Sequence, residues 1–234
     1  MRGILILCLA LQALLPAAGE KLTYEVRYKL GALNTKVATA TIPLAEDTWE
    51  GKEALRSNAA ITVQPVFRLF LKADYNAVLY LSADASNPYF YVYPSDKSYS
   101  ECRYAADSVY YHKVPKGQEP LDFNLPNDNW TMEVFAMLFK LRNVQMEVGE
   151  IKKLKLYISG DFRNATLTLI GRNTERFPGR TADFFIINSP EKGLMENGAG
   201  NIIKIWRDHN GARPLLGIEV PLGTGTMIAN LTDE

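Results

Sequence analysis

Cys102, followed at once by Arg103 and ten residues later by His112, is the one spacing in this chain that sets a thiol, a cation and an imidazole close together. These types can make a nucleophile and its base, because a cationic neighbour favours the thiolate and an imidazole can take the proton. Nothing in the spacing fixes their geometry, so an inert thiol is the preferred reading. Asp208 and His209 are adjacent in the run Asp208-His209-Asn210-Gly211. That run reads as a hairpin turn, in which the aspartate bonds its own backbone and the histidine is exposed. His112 and His209 are the only histidines, which excludes a His-rich metal site. There is no His-Glu-x-x-His, no Gly-x-Ser-x-Gly elbow and no phosphate-binding Gly-rich loop with Lys. Asp122, Glu133, Asp161 and Asp208 are acids in plausible places, but spacing links no two of them. No catalytic residue, metal or cofactor is assigned on these grounds.

Binding chemistry is better represented. The aromatic run from Tyr89 to Tyr111, with Tyr91 and Tyr104 inside it, offers apolar area and hydroxyls at modest entropic cost, although ordinary sheet packing explains it equally simply. Trp130, Phe135 and Phe139 add a second aromatic group thirty to forty residues on. These six are the candidate ligand contacts. Arg142 and Arg213 stand at the ends of apolar segments, where pairing with an acid such as Asp208 or Glu133 would lock a helix to a sheet.

The elements that must position these residues are strands, with one exception. From Asn127 to Arg142 the chain predicts a helix, with its core over 130–142: Trp130, Val134, Met137, Leu138 and Leu141 recur at helical spacing, and Asp128 or Asn129 caps the first turn. Lys140 and Arg142 suit its negative end. Phe135 and Phe139 lie off the stripe, so more than half of the circumference is apolar and the helix must be covered on several sides. Elsewhere Leu22, Tyr24, Val26, Tyr28 and Leu30 alternate with charged residues, and similar patterns return to Leu231. Pro115 to Pro126 reads as a Pro-rich crossing loop into the helix, and Asn210-Gly211 as the positive-φ pair of a tight hairpin. The expected fold is mainly β: one strongly curved antiparallel sheet, or an incomplete barrel or sandwich, wrapped around one buried helix.

Arg2, the apolar run Ile4 to Leu15 and the small residues Ala17-Ala18-Gly19 have the layout of a signal peptide over residues 1–19, leaving one β-rich domain over 20–234. Without that segment Cys102 is the only cysteine, and no intramolecular disulfide can form in an oxidising compartment. Lys plus Arg and Asp plus Glu balance at 26 each, so no charge excess points to nucleic acid, and no later segment is long enough to span a bilayer. The expected product is exported to the periplasm or cell envelope.

Three segments carry a resemblance: Gly19 to Tyr28, the helix ending Leu138-Phe139-Lys140-Leu141-Arg142, and Ile205-Trp206-Arg207-Asp208-His209-Asn210-Gly211-Ala212-Arg213-Pro214-Leu215. The chain resembles the bacterial exported family known as domain of unknown function 3108. The resemblance covers most of the chain beyond residue 19, and its third segment is the most specific. Two positions depart from it: Glu133, Phe135 and Ala136 stand where members carry an acidic residue followed by Leu-Ser, and Thr181-Ala182 follow the late Pro-Gly turn. The resemblance implies a β-rich, helix-filled plan similar to the half-barrels that carry lipoproteins across the periplasm, and no particular activity.

Two classes of function lead. In the first, the concave face of the sheet holds an apolar or lipid-like ligand, which requires an unfilled cavity beside Trp130, Phe135 and Phe139. In the second, the helix fills the interior and an exposed edge or Tyr-rich face meets an envelope protein, which requires a full core and an apolar surface patch. A hydrolase ranks third.

Overall fold

A computed structural model of the chain describes residues 19–68, 75–94, 98–128, 130–158, 161–173, 175–189, 202–222 and 224–232. The expected signal segment therefore lies outside the described residues apart from Gly19, as do Asn129, Gly223 and the side chain of Asp161.

Alternating side chains make one face of each strand apolar, and that face has to be covered. Among the described residues fifteen strands do this together in a single sheet. The first eight are β1 (Lys21–Leu30), β2 (Leu33–Trp49), β3 (Lys52–Val63), β4 (Tyr75–Ser82), β5 (Pro88–Pro94), β6 (Ser98–Tyr104), β7 (Ser108–Pro115) and β8 (Leu121–Pro126). They form an up-and-down meander. After β9 (Thr131–Glu133) and the helix α1 (Val134–Asn143) come β10 (Ile151–Ile158), β11 (Asp161–Asn173), β12 (Ala182–Asn188), β13 (Ile202–Asp208), β14 (Leu215–Leu222) and β15 (Gly225–Leu231). β10 to β15 meander back until β15 pairs antiparallel with β1, Val26 opposite Ala229. Among the described residues, β9 and β10 form the one parallel pair.

The two edges of the sheet, β8 and β9, are consecutive in sequence and curl toward each other. Across the gap Tyr104 Oη accepts from Glu133 N at 3.0 Å, and Tyr111 and Tyr157 hydrogen-bond through their hydroxyls with ring centroids 4.3 Å apart. The result is a mainly β, nearly closed barrel with the helix packed into one end of it, in keeping with the curved sheet around a helix expected from the pattern. Leu22 and Tyr24 of β1, Leu79 and Leu81 of β4, Leu154 and Leu156 of β10 and Phe185 and Ile187 of β12 all enter one core with Met137, Phe139 and Leu141 of α1.

Several boundaries differ from expectation. The helix begins at Val134, because Thr131–Glu133 pair as strand with Lys155–Tyr157. Its cap is Glu133, whose carboxylate accepts from Phe135 N at 2.6 Å and from Ala136 N. Asp128 instead accepts from Trp130 N and Thr131 Oγ1, both at 3.0 Å, and so shapes the entry to β9. The expected crossing loop contains β8, which pairs with β7, Tyr111 opposite Phe123. In the β13–β14 turn the positive φ falls at Gly211 and Arg213 and not at Asn210. Gly225 opens β15 where an added Cβ would come within 2.5 Å of Lys29 O, so only glycine fits there.

Candidate functional site

The helix runs across one mouth of the barrel, and long-range polar contacts fix it there. Asn143 Nδ2 donates to Asp84 O in the β4–β5 turn at 2.7 Å. Arg142 Nη1 and Nη2 meet Glu20 Oε2 and Oε1 at 2.8 and 3.0 Å, just before β1, and Nη2 also donates to Ala212 O in the β13–β14 turn. From β13, Arg207 Nη1 donates to Leu141 O at 2.5 Å and Val144 O at 2.7 Å, two carbonyls left over at the helix end. Its Nη2 pairs with Asp183 of β12.

Asp183 is nearly fully buried and also receives Arg172 Nε at 3.4 Å and lies 3.0 Å from His209 Nδ1. Burial alone would raise its pKa, but the bond and charge of Arg207, helped by His209, hold it below the ordinary value. The expected pairings of Arg142 and Arg213 with Asp208 or Glu133 do not form. Asp208 turns to Arg180 and to Asn210 N, Glu133 is spent on the helix, and Arg213 Nε is buried with no hydrogen-bond partner among the described residues.

Above the helix lies an apolar cavity of about 650 Å³, within the ~300–1,000 Å³ of small-molecule sites. Phe135, Leu138 and Arg142, at i, i+3 and i+7, form its floor with Val134 and Phe139 beside them. The opposite face of the helix, Ala136 and Leu141, packs into the core, and Met137 borders both core and cavity. Walls come from alternate residues of strands far apart in sequence: Leu22, Tyr24 and Val26 of β1, Tyr91 and Tyr93 of β5, Ile203 and Ile205 of β13, Ile218 and Val220 of β14, and Met227 and Ala229 of β15. Tyr75 stacks on Tyr93 at 4.3 Å and on Phe135 at 5.3 Å, continuing the aromatic lining.

Most polar groups of the cavity are already engaged. Tyr24 Oη donates to Leu215 O at 2.9 Å, and Tyr75 and Tyr91 share a hydroxyl bond of 2.7 Å. Burial raises the pKa of all three phenols. Burial also pushes Glu133 up to about 8 against the opposing bonds from Phe135 N and Ala136 N.

Of the six candidate contacts, Phe135, Phe139 and Tyr91 line the cavity together. The other three do not line it. Trp130 packs against the margin of the core with Lys140 Nζ 5.2 Å from its ring. Tyr89 falls at the bulge of β5, with Lys52 Nζ 5.9 Å above it, and Tyr104 is turned to Glu133 N. Cys102 and His112 occupy opposite faces of the sheet: the thiol is inside, its pKa driven well up by burial, while His112 Nδ1 lies outside, 2.8 Å from Asp122 Oδ1. They cannot act as nucleophile and base on one substrate. Sequence reasoning missed Tyr24, Tyr75, Tyr93, Leu138 and Lys113 as lining residues. Strand parity carried a signal for two of them, since Tyr93 and Lys113 stand two residues beyond Tyr91 and Tyr111.

Comparison with known proteins bears on family and fold. The family described as protein of unknown function, DUF3108, matches residues 23–231. No curated protein matches the chain. The chain is similar to the crystal structure of a β-barrel-like protein of domain of unknown function DUF1849 from Brucella abortus, at 9% identity and a TM-score of 0.57, over 94% of this chain and 98% of that one. At that identity the likeness is one of fold.

Proposed function

The chain belongs to the family of unknown function DUF3108, and we propose that it is an exported, non-catalytic carrier that holds an apolar or lipid-like ligand between α1 and the sheet. The cavity carries this reading. A barrel whose helix packed the interior completely would leave nothing beside Phe135 and Leu138, whereas about 650 Å³ lies there. Apolar walls and internally bonded hydroxyls favour a ligand recognised by shape and hydrophobicity. Phe135, Phe139 and Tyr91 are the proposed contacts. Export and residence in the periplasm or cell envelope rest on Arg2, the run Ile4 to Leu15 and Ala17-Ala18-Gly19. Among the described residues no helix is long and apolar enough to cross a membrane.

Titration with a neutral, environment-sensitive naphthylamine dye tests the carrier reading. One saturable site per chain, lost in Phe135→Glu while the thermal melt persists, supports it; absence of saturable binding to folded wild type removes it.

One observation favours a second reading, a module that docks an envelope protein. β8 is an unpaired edge whose Leu121 and Phe123 are 45% and 43% exposed, and such an edge can accept a partner strand. Crosslinking from Phe123 in cells to one recurrent partner would support it.

A further inference from the structure

Lys113 of β7 lines the cavity and makes no ion pair among the described residues. The other charged groups of the lining are satisfied: Arg142 by Glu20 and Ala212 O, and Glu133 by the first amides of α1. Lys113 also has a defined setting. It stands opposite Ser100 of β6, and Ser100 stands opposite Tyr93 of β5. All three line the cavity, and directly opposed residues bring their Cβ atoms within about 5 Å. Ser100 Oγ accepts from Tyr111 Oη at 3.4 Å, which leaves its own proton to donate. The row is one ammonium flanked by hydroxyls, with no acid in it.

This row lies toward the barrel mouth opposite the helix. Tyr93 and Lys113 stand next to the ends of β5 and β7 at Pro94 and Pro115, away from the β4–β5 turn that holds the helix, whereas Arg142, Glu20 and Ala212 mark the closed end. Between the two ends the lining is aromatic and aliphatic. A partly buried cation with no counter-ion among the described residues, at one end of an apolar cavity, is matched by a ligand anion, whose charge-assisted bonds offset the desolvation of both groups.

Resting on the carrier reading above, we infer that the ligand is an anionic amphiphile, a carboxylate or phosphate on an apolar chain, held with its head at Lys113, Ser100 and Tyr93 and its tail against Phe135 and Leu138. The helix face and the cross-strand row together set the direction of binding.

The test is displacement of the neutral dye from the purified protein by palmitate, dodecyl phosphate and hexadecanol, in wild type, Lys113→Ala and Lys113→Glu, with a thermal melt of each. In wild type at least one anion displaces about tenfold or more tightly than hexadecanol, and which anion does so separates carboxylate from phosphate recognition. Lys113→Ala removes that preference, and Lys113→Glu reverses it. Equal displacement by all three in wild type, or an anion preference that survives Lys113→Ala, overturns the head-group inference and leaves the carrier intact. Dye that never binds, or that no amphiphile displaces, removes both. Should the Lys113 variants melt early, the wild-type comparison of anions with hexadecanol decides alone.

Discussion

Arg142 and Glu20 lie 122 residues apart in the chain, yet two guanidinium nitrogens meet both carboxylate oxygens of the glutamate at 2.8 and 3.0 Å. The arginine is 1% exposed and the glutamate 18%. The pair ties the end of the helix to the first strand of the sheet. It makes the floor of the cavity a fixed surface.

Glutamine at position 20 takes the counter-charge from a buried guanidinium and leaves it one amide oxygen and Ala212 O. Glu20→Gln is expected to lower unfolding stability by about 2 kcal/mol, less than for a fully buried pair because the glutamate is partly wet. Glu25→Gln, which weakens the half-buried pair with Arg27 on the sheet surface, is the control and shifts stability by about 0.5 kcal/mol or less. Urea midpoints at constant slope compare the two.

Arg207 serves three acceptors from one planar group: Leu141 O, Val144 O and Asp183. A lysine ammonium cannot reach all three with the same geometry. Arg207→Lys is expected to cost about 2 kcal/mol, and Asp183→Asn about 3 kcal/mol or more because the arginine keeps its buried charge without a counter-ion. Amide exchange should show the last turn of α1 opening before the strands in both variants. Uniform loss of protection across the molecule would contradict a local role.

Glu133 gives a pH dependence of definite sign. Its folded pKa is raised from 4.5 to about 8 by burial, so between those values the folded state holds a proton that the unfolded chain has released. Stability therefore falls as pH rises from about 4.5 to about 8, by at most about 1.4 kcal/mol per pH unit. Facing it from neighbouring strands are Tyr75, Tyr91, Tyr104 and Cys102, whose pKa values are themselves raised, so they stay neutral across this window. Glu133→Gln should flatten the window, since the amide keeps an oxygen for one capping bond and cannot ionise. Thermal melts from pH 5 to 8.5 of the two proteins provide the check; parallel pH profiles would mean that the carboxyl titrates normally.

Filling the cavity should separate stability from binding. Ala229 lines it on β15 and pairs with Val26 and Ile218, so Ala229→Leu projects methyl groups into open volume. Stability is expected to rise by about 0.5–1 kcal/mol, while dye capacity and affinity fall. A destabilised protein with unchanged dye binding would place the dye elsewhere.

The helix was legible because its signal is local: Met137, Leu138 and Leu141 repeat within two turns, and Lys140 and Arg142 mark its end. Its start was not, since three residues of parallel pairing with β10 outweighed helical spacing at Thr131–Glu133. Alternation revealed β1 directly, and Leu30 leaves the core because it is the last residue of the strand, next to the turn at Gly31. β8 was hidden by the prolines at either end of its segment, which an edge strand tolerates. Partner choice was least legible. Asp208 stood next to Arg207 in sequence, but strand neighbours face opposite ways, and the arginine reached Asp183, 24 residues distant on the adjoining strand. The cavity depends on how fifteen curved strands meet one helix, so Phe135, Phe139 and Tyr91 could be named by type, whereas Lys113, one charge in a polar stretch, could not.

Carriage of an apolar ligand is tested most directly by native mass spectrometry of the protein purified from its own cells, before and after organic extraction. A carrier shows one small molecule per chain, released by extraction and missing from folded Phe135→Glu. A clean mass from wild-type protein that is folded and has met its own envelope would contradict it.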